Sequence, residues 1–281
     1  MPEIAVVTDS TAYLPAELIK AAGLTVMPIT VVIDGVPGRE GEDVSPGEVA
    51  RALAARRVAV TTSRPSPGEF SEVYARLLAA GAPGVVSVHL SAKLSGTYDS
   101  AVLAAADHPG LVEVVDSRST GMGLGFAALA ATGFDGLSPA GAAARAAIAR
   151  TTTLFYVDSL EHLRRGGRIG AASALLGTAL SVKPILHMAD GEIVVWDKVR
   201  TASRALARLV DLAVEAAGES DVDIAVHHLA VPERAAELVS QLSARLGDRM
   251  KACYQTEIGA AVGAHVGPGL ASVVVHSRSP E

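Results

Sequence analysis

Small hydroxyl residues gather in four stretches of the 281-residue sequence: Thr-Asp-Ser-Thr at 8–11, Thr-Thr-Ser-Arg-Pro-Ser at 61–66, Ser-Ala-Lys-Leu-Ser-Gly-Thr at 91–97 and Ser-Arg-Ser-Thr at 117–120. Neutral O–H donors suit a carboxylate or phosphate oxygen, and a hydrogen bond to a charged group is worth roughly 1.5–3 kcal/mol. The third stretch is the most informative. The apolar run at 85–90 reads as a buried strand, and after residue 97 a helical pattern begins with Val102, Leu103 and Ala106 on one face. Strand, hydroxyl- and glycine-bearing loop, then helix gives free N–H groups at the positive end of a helix dipole. Gly96 admits a ligand close to the backbone, and Ser95 and Thr97 add two donors. Helix capping alone accounts for Ser66 and can account for Ser95 or Thr97, but it leaves Thr61, Thr62, Ser63 and Ser91 unexplained. If the preceding strands are parallel, all four stretches open on one edge of a sheet, where ligands of open α/β folds bind.

One more residue can reach that edge. His265 lies among glycines and before Pro268, in what reads as a flexible loop able to bring its imidazole to the same anion. His227 and His228 are adjacent on a predicted strand, so they point to opposite faces and do not form a joint ligand pair. Nowhere do His, Cys, Asp and Glu show metal-ligand spacing. Ser95 lacks the Gly-x-Ser-x-Gly elbow of a hydrolase nucleophile, since Lys93 stands in place of the first Gly. Gly123-x-Gly125-x-x-Ala128 has the letters of a dinucleotide fingerprint, but it lies far beyond its strand and no acidic residue follows at the right distance; it reads as helix–sheet packing. A phosphate-loop Gly-Lys-Ser/Thr is missing, which argues against ATP binding by this chain alone.

Composition narrows the field further. With 49% hydrophobic and 19% charged residues, the chain can bury a sizeable core. A net charge of −6 and the lack of a basic, aromatic-bearing stripe argue against nucleic-acid binding. The single Cys253 excludes an intrachain disulfide. The opening residues read as a first strand rather than a secretory leader. The greasiest stretch, 171–188, is interrupted by Ser181, Lys183 and Pro184 and falls short of a membrane span. The expectation is a soluble, cytoplasmic protein with no stable membrane insertion.

The elements that must position these residues alternate between strand and helix up to about residue 150, which predicts a parallel α/β sheet flanked by helices. Ser45-Pro46-Gly47-Glu48 and Ser66-Pro67-Gly68-Glu69 are two capping boxes, and Phe70, Val73, Tyr74, Leu77 and Leu78 give the second helix full periodicity. Beyond residue 152 the texture changes. Ala189-Asp190-Gly191 between two apolar runs signals a hairpin, helices are expected near 201–217 and 232–246, and strands at 222–229 and 271–276. The reading is two α/β domains, 1–152 with a parallel sheet and 153–281 smaller, with a mixed or antiparallel sheet, and a ligand cleft between them.

Taken in order, several stretches carry a resemblance. They are Thr8-Asp9-Ser10-Thr11, Thr62-Ser63-Arg64-Pro65-Ser66-Pro67, Leu94-Ser95-Gly96-Thr97-Tyr98, Asp116-Ser117 with Met122-Gly123, Leu160 through the Arg164-Arg165-Gly166-Gly167-Arg168-Ile169 run, Ser181-Val182-Lys183-Pro184, Val199-Arg200-Thr201, and His265-Val266-Gly267-Pro268-Gly269. Nearly end to end, this ordered set resembles the DegV family, the fatty-acid-binding subunits of bacterial fatty acid kinase. The resemblance implies a long-chain fatty acid, such as a hexadecanoate-like ligand, buried between two domains, with its carboxylate held by Thr62, Ser95 and His265. Ser63, Gly96 and Thr97 are additional candidates for the head group. It further implies a separate kinase subunit that phosphorylates the bound acid for phospholipid synthesis, met in part by Arg168 and Arg200. This chain would itself be no enzyme and would carry no cofactor. Tyr13, Arg64 and Ala271 depart from residues common in the family, and Arg64 is placed to add charge near the head group. The competing expectations are a phosphotransferase or small-molecule kinase component that uses the hydroxyl rim for a phosphorylated metabolite, and a Ser/His lipid hydrolase.

Overall fold

The structure is a computed structural model that describes residues 3–55, 58–175 and 182–278. Ser181 therefore lies outside the described residues, and with it the start of one quoted motif. In chain order the elements are β1 (Ala5–Asp9), α1 (Ala16–Ala21), β2 (Thr25–Met27), β3 (Thr30–Ile33), β4 (Val36–Arg39), α2 (Pro46–Ala54), β5 (Val60–Ser63), α3 (Pro67–Ala79), β6 (Val85–His89), α4 (Thr97–Ala105), β7 (Val112–Asp116), α5 (Met122–Ala130) and α6 (Leu137–Ala149). They continue with β8 (Thr151–Tyr156), α7 (Glu161–Arg165), β9 (Lys183–Ala189), β10 (Glu192–Val199), α8 (Ala202–Ala217), β11 (Val222–His228), α9 (Pro232–Leu246), β12 (Met250–Glu257), α10 (Ala260–Val266) and β13 (Ala271–Ser277).

Three sheets result. The expected parallel sheet has the order β2-β1-β6-β7. The later half of the chain forms a mixed sheet, β10-β9-β8-β13-β11-β12, in which only β11 and β12 run parallel. Its β9–β10 hairpin turns at Asp190 (φ 48°) and Gly191 (φ 82°), the paired left-handed residues of a tight hairpin. The third sheet, β4-β3-β5, is antiparallel and was not anticipated. Residues 61–63 belong to β5, so they are not a loop at the carboxyl edge of the parallel sheet as the hydroxyl-rim reading expects. The short apolar run before them was too brief to announce a strand.

Both capping boxes form, Ser45 with Glu48 and Ser66 with Glu69, each side chain bonded to the other residue's backbone N–H. Helix α4 corrects one expectation. Leu103 is 62% exposed and Val102 is also exposed, while Ala101 and Ala104 are buried. The cause is α3, whose Phe70 and Tyr74 fill the space over β1 and β6 and leave room only for small residues opposite. β12 is a further strand beyond those expected, and it alternates outward Lys251, Cys253, Gln255 and Glu257 with inward-facing neighbours.

Helix α5 lies between the parallel and mixed sheets. Residues from Met122 to Ala128 are all buried, packed with Val86, Val88 and Val115 on one side and Ala225 and Val274 on the other. A Cβ on Gly123 would collide with Ser119 and Thr153, so the apparent dinucleotide fingerprint is a packing feature. The first turn of α5 is fastened at both sides: Gly121 N–H donates to Thr11 O (2.7 Å) and Met122 N–H to His227 Nε2 (3.0 Å). No helix among the described residues is long and apolar enough to cross a membrane.

Because His227 Nε2 accepts that bond, its Nδ1–H donates to Thr256 Oγ1 (2.7 Å) and the ring is neutral. Burial pushes its pKa down to about 4. The unfolded chain binds this proton near pH 6.5 while the folded chain refuses it, so stability falls as pH drops from about 6.5 to about 4. His227→Gln removes this contribution. The stability difference between wild type and His227→Gln, measured by urea unfolding at pH 7 and pH 4, is expected to shrink by about 3 kcal/mol at the lower pH.

Candidate functional site

A cavity opens between the sheets, with about 840 Å3 of empty space when counted out into the solvent at its mouth. Its wall is chiefly apolar. Leu90 and Leu94 come from the loop after β6, Phe155 from β8, Met188 and Ile193 from the hairpin, and Leu270 from the segment before β13. Four residues give one part of the wall a polar character: Thr62, Ser95, Arg168 and His265. They come from β5, the loop before α4, the segment after α7, and α10.

The alternation of β5 decides which of its hydroxyls can take part. Thr62, paired with Val31, faces inward, whereas Thr61 and Ser63 face out and are exposed. Ser63 is thereby removed from the candidate head-group contacts. Thr62 Oγ1 lies 2.9 Å from His265 Nε2. With the imidazole proton on Nε2, Thr62 accepts this bond and its own O–H is left to point at a ligand.

His265 sits in the last turn of α10, not in a flexible loop. The six small or apolar residues that share α10 with it show no helical periodicity, because α10 is only two turns long. Its orientation is set by glycines. A Cβ on Gly166 would strike His265 Nδ1, and one on Gly267 would strike the His162 ring, so α7 and α10 approach more closely than any side chain allows. His265 Nδ1 is buried without a hydrogen-bond partner among the described residues. Burial, with the Arg168 charge adding to it, pushes the His265 pKa down to about 4. The imidazole is therefore a neutral donor.

The N-terminus of α10 is fixed as well. Glu40 is buried, its carboxylate accepting from Ala261 N–H (2.7 Å), Tyr13 O–H (3.2 Å) and Ser10 O–H. Tyr13 Oη in turn accepts from Val262 N–H (3.1 Å). Burial raises the pKa of both Glu40 and Tyr13. Ile29, Val31 and Val49 of the small-sheet region pack on Ala260, Ala261 and Ala264. These contacts place β5 and α10, and so Thr62 and His265, in register. Nothing in the local sequence pattern announced the Glu40 network.

Ser95 Oγ is 2.9 Å from Thr97 Oγ1 and accepts from Thr97 N–H (3.3 Å). Thr97 is fully buried and supports Ser95 from behind, while Gly96 leaves space that the Arg64 side chain occupies. Neither Gly96 nor Thr97 lines the cavity. Three other hydroxyls of the expected rim are structural. Ser91 O–H donates to Gly191 O (2.7 Å), Ser117 accepts from Ser119 N–H (3.2 Å), and Ser119 Oγ meets Thr153 Oγ1 (3.0 Å). Arg168 reaches inward, its guanidinium donating to Leu94 O (3.0 Å) and Gly166 O, and Arg200 is exposed after β10. A shallow depression lined by His162, Arg165 and Gly166 shares Thr62, Arg168 and His265 with the cavity, so the polar end is approachable from outside.

This arrangement is not a hydrolase triad. His265 Nε2 is bonded to Thr62 rather than Ser95, and no carboxylate meets Nδ1. Among the described residues no group of three or more His, Cys, Asp or Glu could hold a metal. What the site can do is seat an anionic head against the hydroxyls of Thr62 and Ser95, beside Arg168, within a chiefly apolar cavity.

Comparison with known proteins gives the same frame. The family model described as "Uncharacterised protein, DegV family" matches residues 3–278. A DegV domain-containing protein of Streptomyces coelicolor is 52% identical over 282 residues, covering 98% of this chain and 99% of that one. One from Mycobacterium tuberculosis is 40% identical over 280 residues, covering 97% and 96%. Among solved structures, a fatty-acid-binding DegV family protein from Thermus thermophilus superposes with a TM-score of 0.91 at 32% identity, covering 98% of this chain and all of that one. DegV, a fatty acid binding protein from Bacillus subtilis, gives 0.89 at 32% identity, covering 99% and 100%.

The buried, neutral state of His265 is directly measurable. In ligand-free protein its ring resonances are expected to titrate with a midpoint near pH 4. Gly166→Ala, by displacing the ring from its buried seat, should move the midpoint upward toward 6.5.

Proposed function

The chain is a member of the DegV family, and from that premise we propose that it binds a long-chain fatty acid and presents the carboxylate to a separate kinase for conversion to an acyl phosphate. The observation that carries this reading is the cavity itself: a chiefly apolar wall in which Thr62, Arg168 and His265 lie on the side reachable from the surface. A phosphorylated metabolite would leave most of that wall unused, which disfavours the phosphotransferase alternative.

The energetics divide between the two ends. A C16 chain has about fourteen methylenes, and burying them at ~0.8 kcal/mol each is worth on the order of 11 kcal/mol before the entropy costs of binding. Hydrogen bonds to the carboxylate contribute less, roughly 1.5–3 kcal/mol each. The tail thus supplies affinity, and Ser95 together with Thr62, whose hydroxyl is oriented by His265, fixes which end faces out. On this reading the neutral hydroxyls of Thr62 and Ser95 hold the carboxylate while the Arg168 guanidinium is engaged by Leu94 O and Gly166 O, which leaves a carboxylate oxygen free to attack a phosphoryl group. Arg168 holds the loop carrying Ser95 and, with exposed Arg200, offers basic contacts to an incoming kinase. On this reading the protein acts in the cytoplasm, needs no cofactor and performs no chemistry alone.

Thr62→Val and Ser95→Ala are each expected to raise the dissociation constant for hexadecanoate about tenfold or more. In a reconstituted assay with a fatty acid kinase, the double variant should lose acyl phosphate formation even at saturating fatty acid. Undiminished product from the double variant would contradict the assigned roles of both hydroxyls.

A further inference from the structure

Away from the head group the tunnel wall holds five polar residues: Thr11, Thr120, Thr153, His227 and Ser272. Four are engaged within the protein. Thr11 O–H donates to Asp9 (2.5 Å), Thr153 is paired with Ser119 (3.0 Å), Ser272 O–H donates to Leu154 O (2.9 Å), and both nitrogens of His227 are occupied by Met122 and Thr256. Thr120 differs. Its hydroxyl is buried with no partner among the described residues.

Its place in the fold separates it from the carboxylate site. Thr120 lies in the loop between β7 and α5, just before Gly121, whose missing side chain leaves room for the His227 ring. The head-group residues come instead from β5, α10, the segment after α7 and the loop before α4. The two polar groups share no hydrogen bond. A tunnel built only for methylenes would favour valine here, which has the shape of threonine without an unsatisfied O–H. A plain alkyl chain gives this hydroxyl nothing to bond.

We propose that Thr120 is a subsite for an oxygen substituent on the acyl chain, a hydroxyl or keto group at the carbon that comes level with it. The inference rests on the fatty-acid reading above and adds a substrate class to it. Thr120 O–H donates to the substituent oxygen, so an oxygenated chain loses less on burial at that carbon than at any other.

The test uses delipidated full-length protein and competition against a fluorescent fatty acid. The ligands are octadecanoic acid and a series of monohydroxy- and keto-octadecanoic acids substituted at successive carbons. A narrow band of positions is expected to bind about five- to tenfold tighter than isomers substituted elsewhere. Thr120→Val should abolish that band and bind unsubstituted octadecanoate about fivefold tighter than wild type, and Thr120→Ser should keep the band. If every substituted isomer is weakened alike and the order is the same in Thr120→Val, the subsite does not exist. If neither plain nor substituted acids bind, the fatty-acid reading itself falls, which is a separate failure.

Discussion

The contact between Thr62 and His265 joins residues 203 positions apart, and the polar end of the tunnel exists only where they meet. Each half of the contact is held by a different device. Thr62 is placed by the pairing of β5 with β3, and that small sheet is packed on α10 through apolar residues. His265 is placed from behind by Gly166 and from the N-terminal end of its helix by the buried Glu40 and Tyr13. A neutral imidazole in this position is a consequence of burial rather than of a charged partner, since the nearby charge is the cation of Arg168. The site thus combines neutral donors from Thr62 and Ser95 with the one charge of Arg168, whose guanidinium is itself bonded to Leu94 O and Gly166 O.

The same economy of side chains explains the glycines. Gly166, Gly267 and Gly269 each face a neighbouring side chain that a Cβ would displace, respectively His265, His162 and Asp158. Gly121 and Gly123 bring α5 close to the mixed sheet on one side while its other face meets the parallel sheet. Close approach of these elements draws the parallel and mixed sheets together around the cavity. A chiefly apolar wall suits an alkyl chain, because a buried methylene then meets wall atoms instead of water.

Much of this was legible in the sequence, and the failures share a cause. The alternation of strand and helix gave the parallel sheet, and the Asp190-Gly191 turn gave the hairpin. The ordered motifs brought Thr62, Ser95 and His265 forward, and all three line one cavity. The small antiparallel sheet and the two-turn α10 escaped notice because segments of four to seven residues carry too few apolar positions to show a period. Ser63 lies on the outer face of β5, which the sequence hides for the same reason: the face of each hydroxyl follows from the strand at 60–63, which is too short to show a period. The hydroxyl-rich loops misled in another way. Ser91, Ser117 and Ser119 secure loops and the hairpin, and only their hydrogen bonds, which are long-range or loop-specific, distinguish them from Ser95. Glu40 left no signal at all, since a buried carboxylate that caps a distant helix looks in sequence like any exposed one.

The central claim is that the tunnel holds a fatty acid. Native mass spectrometry of the purified protein, followed by organic extraction and identification of the released molecule, tests it most directly. The account predicts a complex of one long-chain fatty acid per chain, recovered intact on extraction. A mass equal to the bare chain that is unchanged after adding fatty acid, or release of a phosphorylated metabolite instead, would contradict it.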